Sequence, residues 1–244
     1  MEPTVSVLTV TLDRFDVAVQ YFGPAIERAG YPFELLAVDN GSVDERVIDY
    51  VAGFSPVYHA KRPTNEGYAP ALNQMLLRAK GDYVCILDPD ILPPKDWLRS
   101  LVETDMAVST ALKVGSCGYL CIFGYDEEMV VAGKTIWRTW NAFGIKFYHA
   151  RRVQEECGFY YEGYGPYGCE DNDFNYRLNK LAFTNYYVPG HAEHYDDCAL
   201  QTTYRLQKWK DLGVASQRWE ERKLLMDAHL DYYVAPPELK DWPG

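Results

Sequence analysis

Three groups of side chains in this sequence have the types and spacing to do chemistry. Asp88 and Asp90 flank Pro89 directly after the apolar run Tyr83 to Leu87. Proline fixes its own φ and pushes the residue before it into an extended conformation. Pro93 and Pro94 follow closely, so this acidic turn is stiff. Two hard oxygen ligands at such a place suit Mg2+ or Mn2+ carrying a diphosphate. The plainer alternative is a strand-terminating turn, where Asp and Pro are common. Glu170 and Asp171 open a helix in the run Cys169-Glu-Asp-Asn-Asp173. Acids in a first helical turn complement the helix dipole, and capping is the reading for Asp173. Glu170 and Asp171 lie at the edge, where a carboxylate can face a cleft. His191 and His194 are two of the chain's five histidines and stand three apart in a turn running from Pro189 to Asp197. They are close enough to share a metal if that turn is tight or helical, and are otherwise ordinary polar surface residues.

The elements that must position these groups can be read from periodicity. Val5 to Val10, Phe33 to Val38, Pro56 to Ala60 and Tyr83 to Leu87 read as strands. Between them, helices are expected from Asp16, as cap, toward Arg28 with a kink near Gly23-Pro24, over Val43 to Val51, and over Ala69 to Ala79. This alternation predicts an α/β layer with a mainly parallel sheet, whose ligands gather at the carboxyl ends of the strands. Thr9, Thr11, Asp39, Asn65, Asp88 and Asp90 all fall at those ends. Further on, a short helix is expected over Trp97 to Val102, with strands over Val108 to Val114, Tyr119 to Phe123 and Phe143 to Ala150. Cys117-Gly118 reads as a bend between the first two of these strands, and the acids Asp126, Glu127 and Glu128 as a surface loop. Gly158 to Gly168 is rich in glycine and tyrosine and suits either a mobile lid or a tightly packed surface loop. A helix then runs to about Leu181, a strand covers Asn185 to Val188, and one or two charged helices span about Thr202 to Leu230.

At 244 residues the chain can bury one sizeable core, and 48% hydrophobic with 24% charged residues is ordinary for a globular protein. A formal net charge of -11 disfavours nucleic-acid binding driven by phosphate neutralisation. The 20 tyrosines are compatible with sugar or base contacts, although core packing absorbs most aromatics. Six cysteines without a Cys-x-x-Cys pair point to reduced thiols, and no signal peptide or membrane span is visible, so a cytoplasmic protein is expected.

Taken in order, the strand and threonines at Val5 to Thr11, Val38-Asp-Asn-Gly-Ser42, Asn65-Glu-Gly-Tyr68 with Asn73, Asp88-Pro-Asp90, and Gly168-Cys-Glu-Asp-Asn-Asp173 with Arg177 resemble a GT-A fold glycosyltransferase of the family-2 group. The resemblance covers residues 5 to about 195. The last motif is also similar to the Glu-Asp segment of the β-1,4-galactosyltransferases, which bind Mn2+ through a downstream histidine. It implies a Rossmann-like GT-A domain over residues 1–200, with a donor-binding half to about 95 and an acceptor half beyond it. Residues 201–244 would be a helical extension packed on that domain. It further implies a nucleoside-diphosphate sugar donor, a UDP-sugar foremost, with Mn2+ or Mg2+. Asp39 would bind the base, Thr9 and Thr11 would line the nucleoside pocket, and Asn65, Gly67 and Asn73 would belong to the donor site. Asp88 would contact ribose or metal, and Asp90 would be a direct metal ligand, with His194 or His191 a second. Asp171 would be the general base on an acceptor hydroxyl and Glu170 would position that acceptor, giving inversion at the anomeric carbon. The acceptor stays open among a glycan, a lipid-linked intermediate, a protein and a modified nucleic-acid base. The runner-up is a GT-A-like module that binds nucleotide or glycan without transfer. A nucleotidyltransferase ranks lower, because Leu12-Asp-Arg-Phe15 is not a glycine-rich, basic phosphate loop.

Overall fold

The computed structural model describes residues 2–121, 124–195 and 203–242, the last segment by its backbone alone over 203–209. In chain order the elements are β1 (Val5–Thr11), α1 (Phe15–Val17), a π-helical turn (Ala18–Phe22), α2 (Gly23–Glu27), β2 (Glu34–Asp39), α3 (Glu45–Ala52), β3 (Tyr58–Lys61), α4 (Tyr68–Leu76), β4 (Tyr83–Leu87) and β5 (Ile91–Leu92). Then follow α5 (Trp97–Val108), β6 (Val114–Leu120), β7 (Glu127–Val131), β8 (Lys134–Thr139), β9 (Ile145–His149), α6 (Ala150–Glu156), α7 (Glu170–Lys180), β10 (Thr184–His191), β11 (Glu193–His194) and α8 (Thr203–His229).

Among the described residues one nine-stranded sheet has the order β3-β2-β1-β4-β9-β6-β10-β8-β7. The first four strands are parallel, as the alternation of elements predicts. β9 enters antiparallel between β4 and β6, and β10 runs parallel to β6. Strand residues alternate between two apolar layers. Val5, Val7, Leu35, Ala37, Cys85 and Leu87 face a core closed by α3 and α5. Leu8, Val10, Leu36, Val38, Val84 and Ile86 face one closed by α4, α6 and α7. A sheet buried on both faces has near-continuous apolar strands, which is why β1 and β4 stand out in the sequence.

The structure corrects several boundaries. Residues 108–114 do not form a strand: α5 runs on to Val108, with Trp97, Leu98, Leu101, Val102 and Val108 buried at helical spacing, and the strand starts at Val114. Cys117-Gly118 is no bend but the middle of β6. A Cβ on Gly118 would lie 2.2 Å from the Ile145 carbonyl oxygen, so glycine serves the close approach of β9. Glu127 and Glu128 stand in β7, not in a loop. The β7–β8 turn uses Ala132 and Gly133, both with positive φ; alanine is an unusual residue there, so the hairpin carries no ordinary turn signal. Asp16 lies inside the first turn of α1, and Arg14 holds the cap position. Residues 122–123, at the end of the strand expected over Tyr119 to Phe123, lie outside the described residues, as do 196–202 with Cys198. Among the described residues, no helix is long and apolar enough to cross a membrane.

Asp173 is not a helix cap either. It is fully buried, and its carboxylate accepts from Arg177 Nε at 2.6 Å, Arg222 Nε at 2.5 Å and the Tyr164 hydroxyl at 2.8 Å. This joins α7 to α8 and to the Gly/Tyr segment. Around it Tyr164, Cys169, Tyr176, Ala215, Trp219 and Met226 form a third small core. Removing one partner of a buried ion pair strands the others, at about 3–5 kcal/mol. Asp173→Asn is therefore expected to lower unfolding stability by about that amount, measured by urea denaturation. A loss under about 1 kcal/mol, the range of exposed pairs, would mean that the two arginines are satisfied without it.

Candidate active site

β4 ends at Leu87 and hands the chain to Asp88, Pro89 and Asp90. Two hydrogen bonds fix the turn: Asp88 N donates to the Gly144 carbonyl at 3.0 Å, and Ile91 N to the Asp88 carbonyl at 3.2 Å. Tyr68, at the start of α4, donates its hydroxyl to Asp88 Oδ1. Burial, then the charges of Asp90 and Asp171, push the Asp88 carboxyl well above the usual carboxylate range. Burial, with Asp88 beside it, likewise raises the Tyr68 phenol.

The short ladder between β5 and β11 carries the histidine turn to these acids. Glu193 pairs with Leu92 and His194 with Ile91, and Tyr195 N donates to the Asp90 carbonyl at 2.9 Å. His194 Nε2 consequently lies 3.7 Å from Asp90 Oδ2, both side chains being partly exposed. His191 ends β10, paired in register with Leu120, and its side chain is exposed.

α7 brings the second pair of acids. It starts after Gly168 and Cys169, both with positive φ, so the chain turns sharply into Glu170 and Asp171. Burial and then the Asp171 charge push the Glu170 carboxyl up to about 7. Asp171 Oδ1 lies 2.5 Å from Lys146 Nζ on β9, the lysine side chain being 3% exposed and the aspartate 21%. Tyr167 also stands beside these groups. Its phenol is raised first by burial and then by Glu170, Asp88, Asp171 and Asp90.

The nucleoside end expected from the sequence lies at the ends of β1, β2 and β3. Asp39 is fully buried: Oδ1 accepts from Ser42 N at 2.8 Å and Gly41 N at 3.2 Å, and Oδ2 from the hydroxyls of Thr11 at 3.2 Å and Ser42. It therefore shapes its own turn. Asn65 Oδ1 accepts from Gly67 N at 3.0 Å and from Asn40 Nδ2 at 2.8 Å. A buried arginine that sequence reasoning missed, Arg62, ties these loops together. Its Nη1 donates to Asn40 Oδ1 at 3.0 Å and to the Gly67 carbonyl at 3.1 Å, and its Nη2 to Glu66. Trp242 stacks on that guanidinium at 4.5 Å.

Thr9 and Asn73 are not presented to an open pocket. Thr9 is enclosed in β1, its hydroxyl without a partner among the described residues. Asn73 spends its amide on Tyr160, donating to the carbonyl at 2.8 Å and accepting from the N–H at 2.9 Å, and also donates to Glu162 at 2.8 Å. It anchors the Gly/Tyr segment, in which Tyr160 is buried and stacked on Phe174. The other missed residue is Lys146. Its signal was a lone lysine inside the apolar run Ile145-Lys-Phe-Tyr.

The donor set of Asp88, Asp90 and His194 is chemically right for Mn2+ or Mg2+, and a cation would offset the repulsion that, after burial, raises Asp88. Among the described residues no three His, Cys, Asp or Glu side chains converge into a ready-made cage. That fits a cation held by one or two side chains and completed by phosphate oxygens and water.

GalNAc-T7, solved with UDP, GalNAc and Mn2+, superposes with a TM-score of 0.60 at 16% identity, over 79% of this chain and 43% of that one. The mannosyltransferase PcManGT from Pyrobaculum calidifontis, solved with GDP-Man and Mn2+, gives 0.60 at 17% identity, over 85% and 60%. S. aureus TarS gives 0.62 at 15% identity, over 79% and 37%. At such identities the likeness is one of fold, and this chain spans only part of each of those chains. A search of curated proteins found no match. Residues 6–170 match the family described as glycosyl transferase family 2. The chain belongs to that family and has the GT-A fold of its structural neighbours.

Proposed function

We propose that this protein is an inverting, metal-dependent glycosyltransferase that moves a sugar from a nucleoside-diphosphate donor, a UDP-sugar foremost, to an acceptor hydroxyl. The observation that carries this reading is the meeting of two acidic pairs: Asp88 and Asp90 with His194 alongside, and Glu170 and Asp171 from the start of α7. Asp90 and His194, with Asp88 behind them, would hold Mn2+ or Mg2+ against the diphosphate. When bound, the cation supplies charge compensation for the leaving group. Asp39, Thr11, Asn65 and Gly67 give the nucleoside end its shape, and Thr9 and Asn73 support it from inside. Neighbours solved with UDP or GDP-Man together with Mn2+ lend support to this donor class.

In the reaction, Asp171 accepts the proton of the acceptor hydroxyl as its oxygen bonds to the anomeric carbon. The carbon–oxygen bond to the β-phosphate breaks, and its electron pair leaves with the nucleoside diphosphate. Attack from the face opposite the leaving group inverts the anomeric centre. Glu170, beside the base and partly enclosed, orients the acceptor. The helix dipole of α7 favours negative charge at its start, which suits a base that begins ionised.

Two outcomes are expected. Across a panel of UDP- and GDP-sugars, nucleotide release needs Mn2+ or Mg2+ and is lost in EDTA. Asp90→Asn abolishes the added thermal stabilisation that Mn2+ gives to bound UDP or GDP. His194→Ala raises the Mn2+ concentration needed for turnover, whereas His191→Ala leaves it unchanged; equal nucleotide binding in EDTA and Mn2+ would sink the metal assignment. The second outcome concerns pH. Glu170 is raised from 4.5 to about 7, so the native state holds this proton more tightly than the unfolded chain. Between those values the wild type loses stability from this group as pH rises. Glu170→Gln should therefore gain in melting temperature relative to wild type from pH 4.5 to pH 7 in EDTA. A constant gap would show that the buried charge carries no penalty.

A further inference from the structure

Lys146 sits where an apolar residue is expected. It lies on β9 opposite Ile86 of β4, between Ile145 and Phe147, which are both core residues. Burying an ammonium is costly unless it is paired, and a buried ion pair stabilises a fold no better than apolar residues of the same volume. Stability alone therefore gives no reason for a lysine here. Its partner gives one. Asp171 lies close to the carboxyls of Glu170 on its own helix and Asp88 at the end of β4, and to the phenols of Tyr68 and Tyr167. An aspartate among like charges would rotate toward solvent, and the ammonium 2.5 Å from Oδ1 opposes that rotation.

We infer that Lys146 is a positioning residue for the base: it grips Asp171 Oδ1 from inside the sheet and leaves Oδ2 as the oxygen that meets the acceptor hydroxyl. This rests on the reading of Asp171 as general base. β9 is held on both edges, paired with β4 on one side and, at Phe147, with β6 on the other. The grip is thus delivered from the sheet, while the carboxylate itself stands at a helix start beside a glycine-rich segment. Misplacing a catalytic group by about 1 Å costs about 10²-fold in rate, which sets the size of the expected effect.

The test is a double-mutant cycle on turnover, read as UDP or GDP release from the nucleotide sugar that the donor panel selects. Asp171→Asn alone should slow release by about 10²–10⁴-fold. Lys146→Met should slow kcat by about 10²-fold with donor KM unchanged, and Lys146→Arg should recover most of that loss. Lys146→Met placed on Asp171→Asn should cost nothing further, because the lysine acts only through the aspartate. Thermal unfolding of Lys146→Met, an apolar residue of similar length, checks that the fold is retained. A full additional loss on the Asp171→Asn background would overturn the inference, as would a change in donor KM alone or unchanged turnover in Lys146→Met. Near wild-type turnover in Asp171→Asn would instead remove the base itself, a failure visible before Lys146 is touched.

Discussion

Mutual repulsion among carboxylates at the end of β4 is the constraint on which this structure depends. Asp88, Asp90, Glu170 and Asp171 come from two stretches far apart in sequence; Asp90 and Asp171 raise the cost of charge at the buried Asp88, and Asp171 does the same at the buried Glu170. Several devices offset it. Tyr68 gives a hydrogen bond to Asp88, Lys146 gives a charge to Asp171, and the amino terminus of α7 favours the acids that begin it. Asp90 stands beside His194, whose Nε2 is 3.7 Å from Oδ2. A divalent cation at Asp90 and His194 would bring charge of the opposite sign to this cluster.

The sheet makes this arrangement possible through one departure from a simple parallel order. β9 runs antiparallel between β4 and β6, so its first residues lie beside the last residues of β4. Lys146, the second residue of β9, is thereby placed opposite Ile86 near the end of β4. The same insertion puts the Gly144 carbonyl on Asp88 N and so closes the acidic turn from the far side. Further out, Asp173 with Arg177 and Arg222 links the first turns of α7 to α8. The start of the helix that carries Glu170 and Asp171 is thus fixed from both the sheet and the carboxyl-terminal helix.

The parallel half of the fold was legible in the sequence because β1, β2 and β4 are buried on both faces and read as largely apolar runs, while the edge strand β3, Tyr-His-Ala-Lys, gives a weaker signal. The acidic turn was legible because stiff, charged punctuation directly follows the apolar run of β4, and the Glu-Asp pair because a cluster of acids opens a helix after a glycine-rich segment. What escaped depends on long-range contact. Lys146 has no motif of its own, and its meaning appears only when α7 is laid across β9. Arg62 is a charged residue in a polar stretch until the loops after β2 and β3 fold around it. Asp173 looks like a helix-start acid by position, and only the arrival of Arg222 from 49 residues away makes it a buried junction. The β7–β8 hairpin escaped for a local reason, its turn being built on alanine.

The Gly/Tyr segment resolves into two parts that are held differently. From Phe159 to Tyr164 it is packed: Asn73 holds Tyr160 on both sides of its peptide, Arg177 Nη2 donates to the Phe159 carbonyl, and Tyr164 donates to Asp173. Arg218 on α8 donates to the Gly163 carbonyl as well. A lid formed by that stretch would have to break a buried network, each buried group costing about 1–3 kcal/mol to strand. Gly165 to Gly168 is different. Both glycines hold positive φ values that other residues avoid, and Tyr167 is carried between them beside all four carboxylates. The Gly165 carbonyl packs against Gly67, where a Cβ would come within 2.8 Å, so the two glycine loops meet without side chains between them. That contact, and the packing of Gly168 against Leu212 and Ala215 of α8, fix where the segment sets Tyr167 beside the acids.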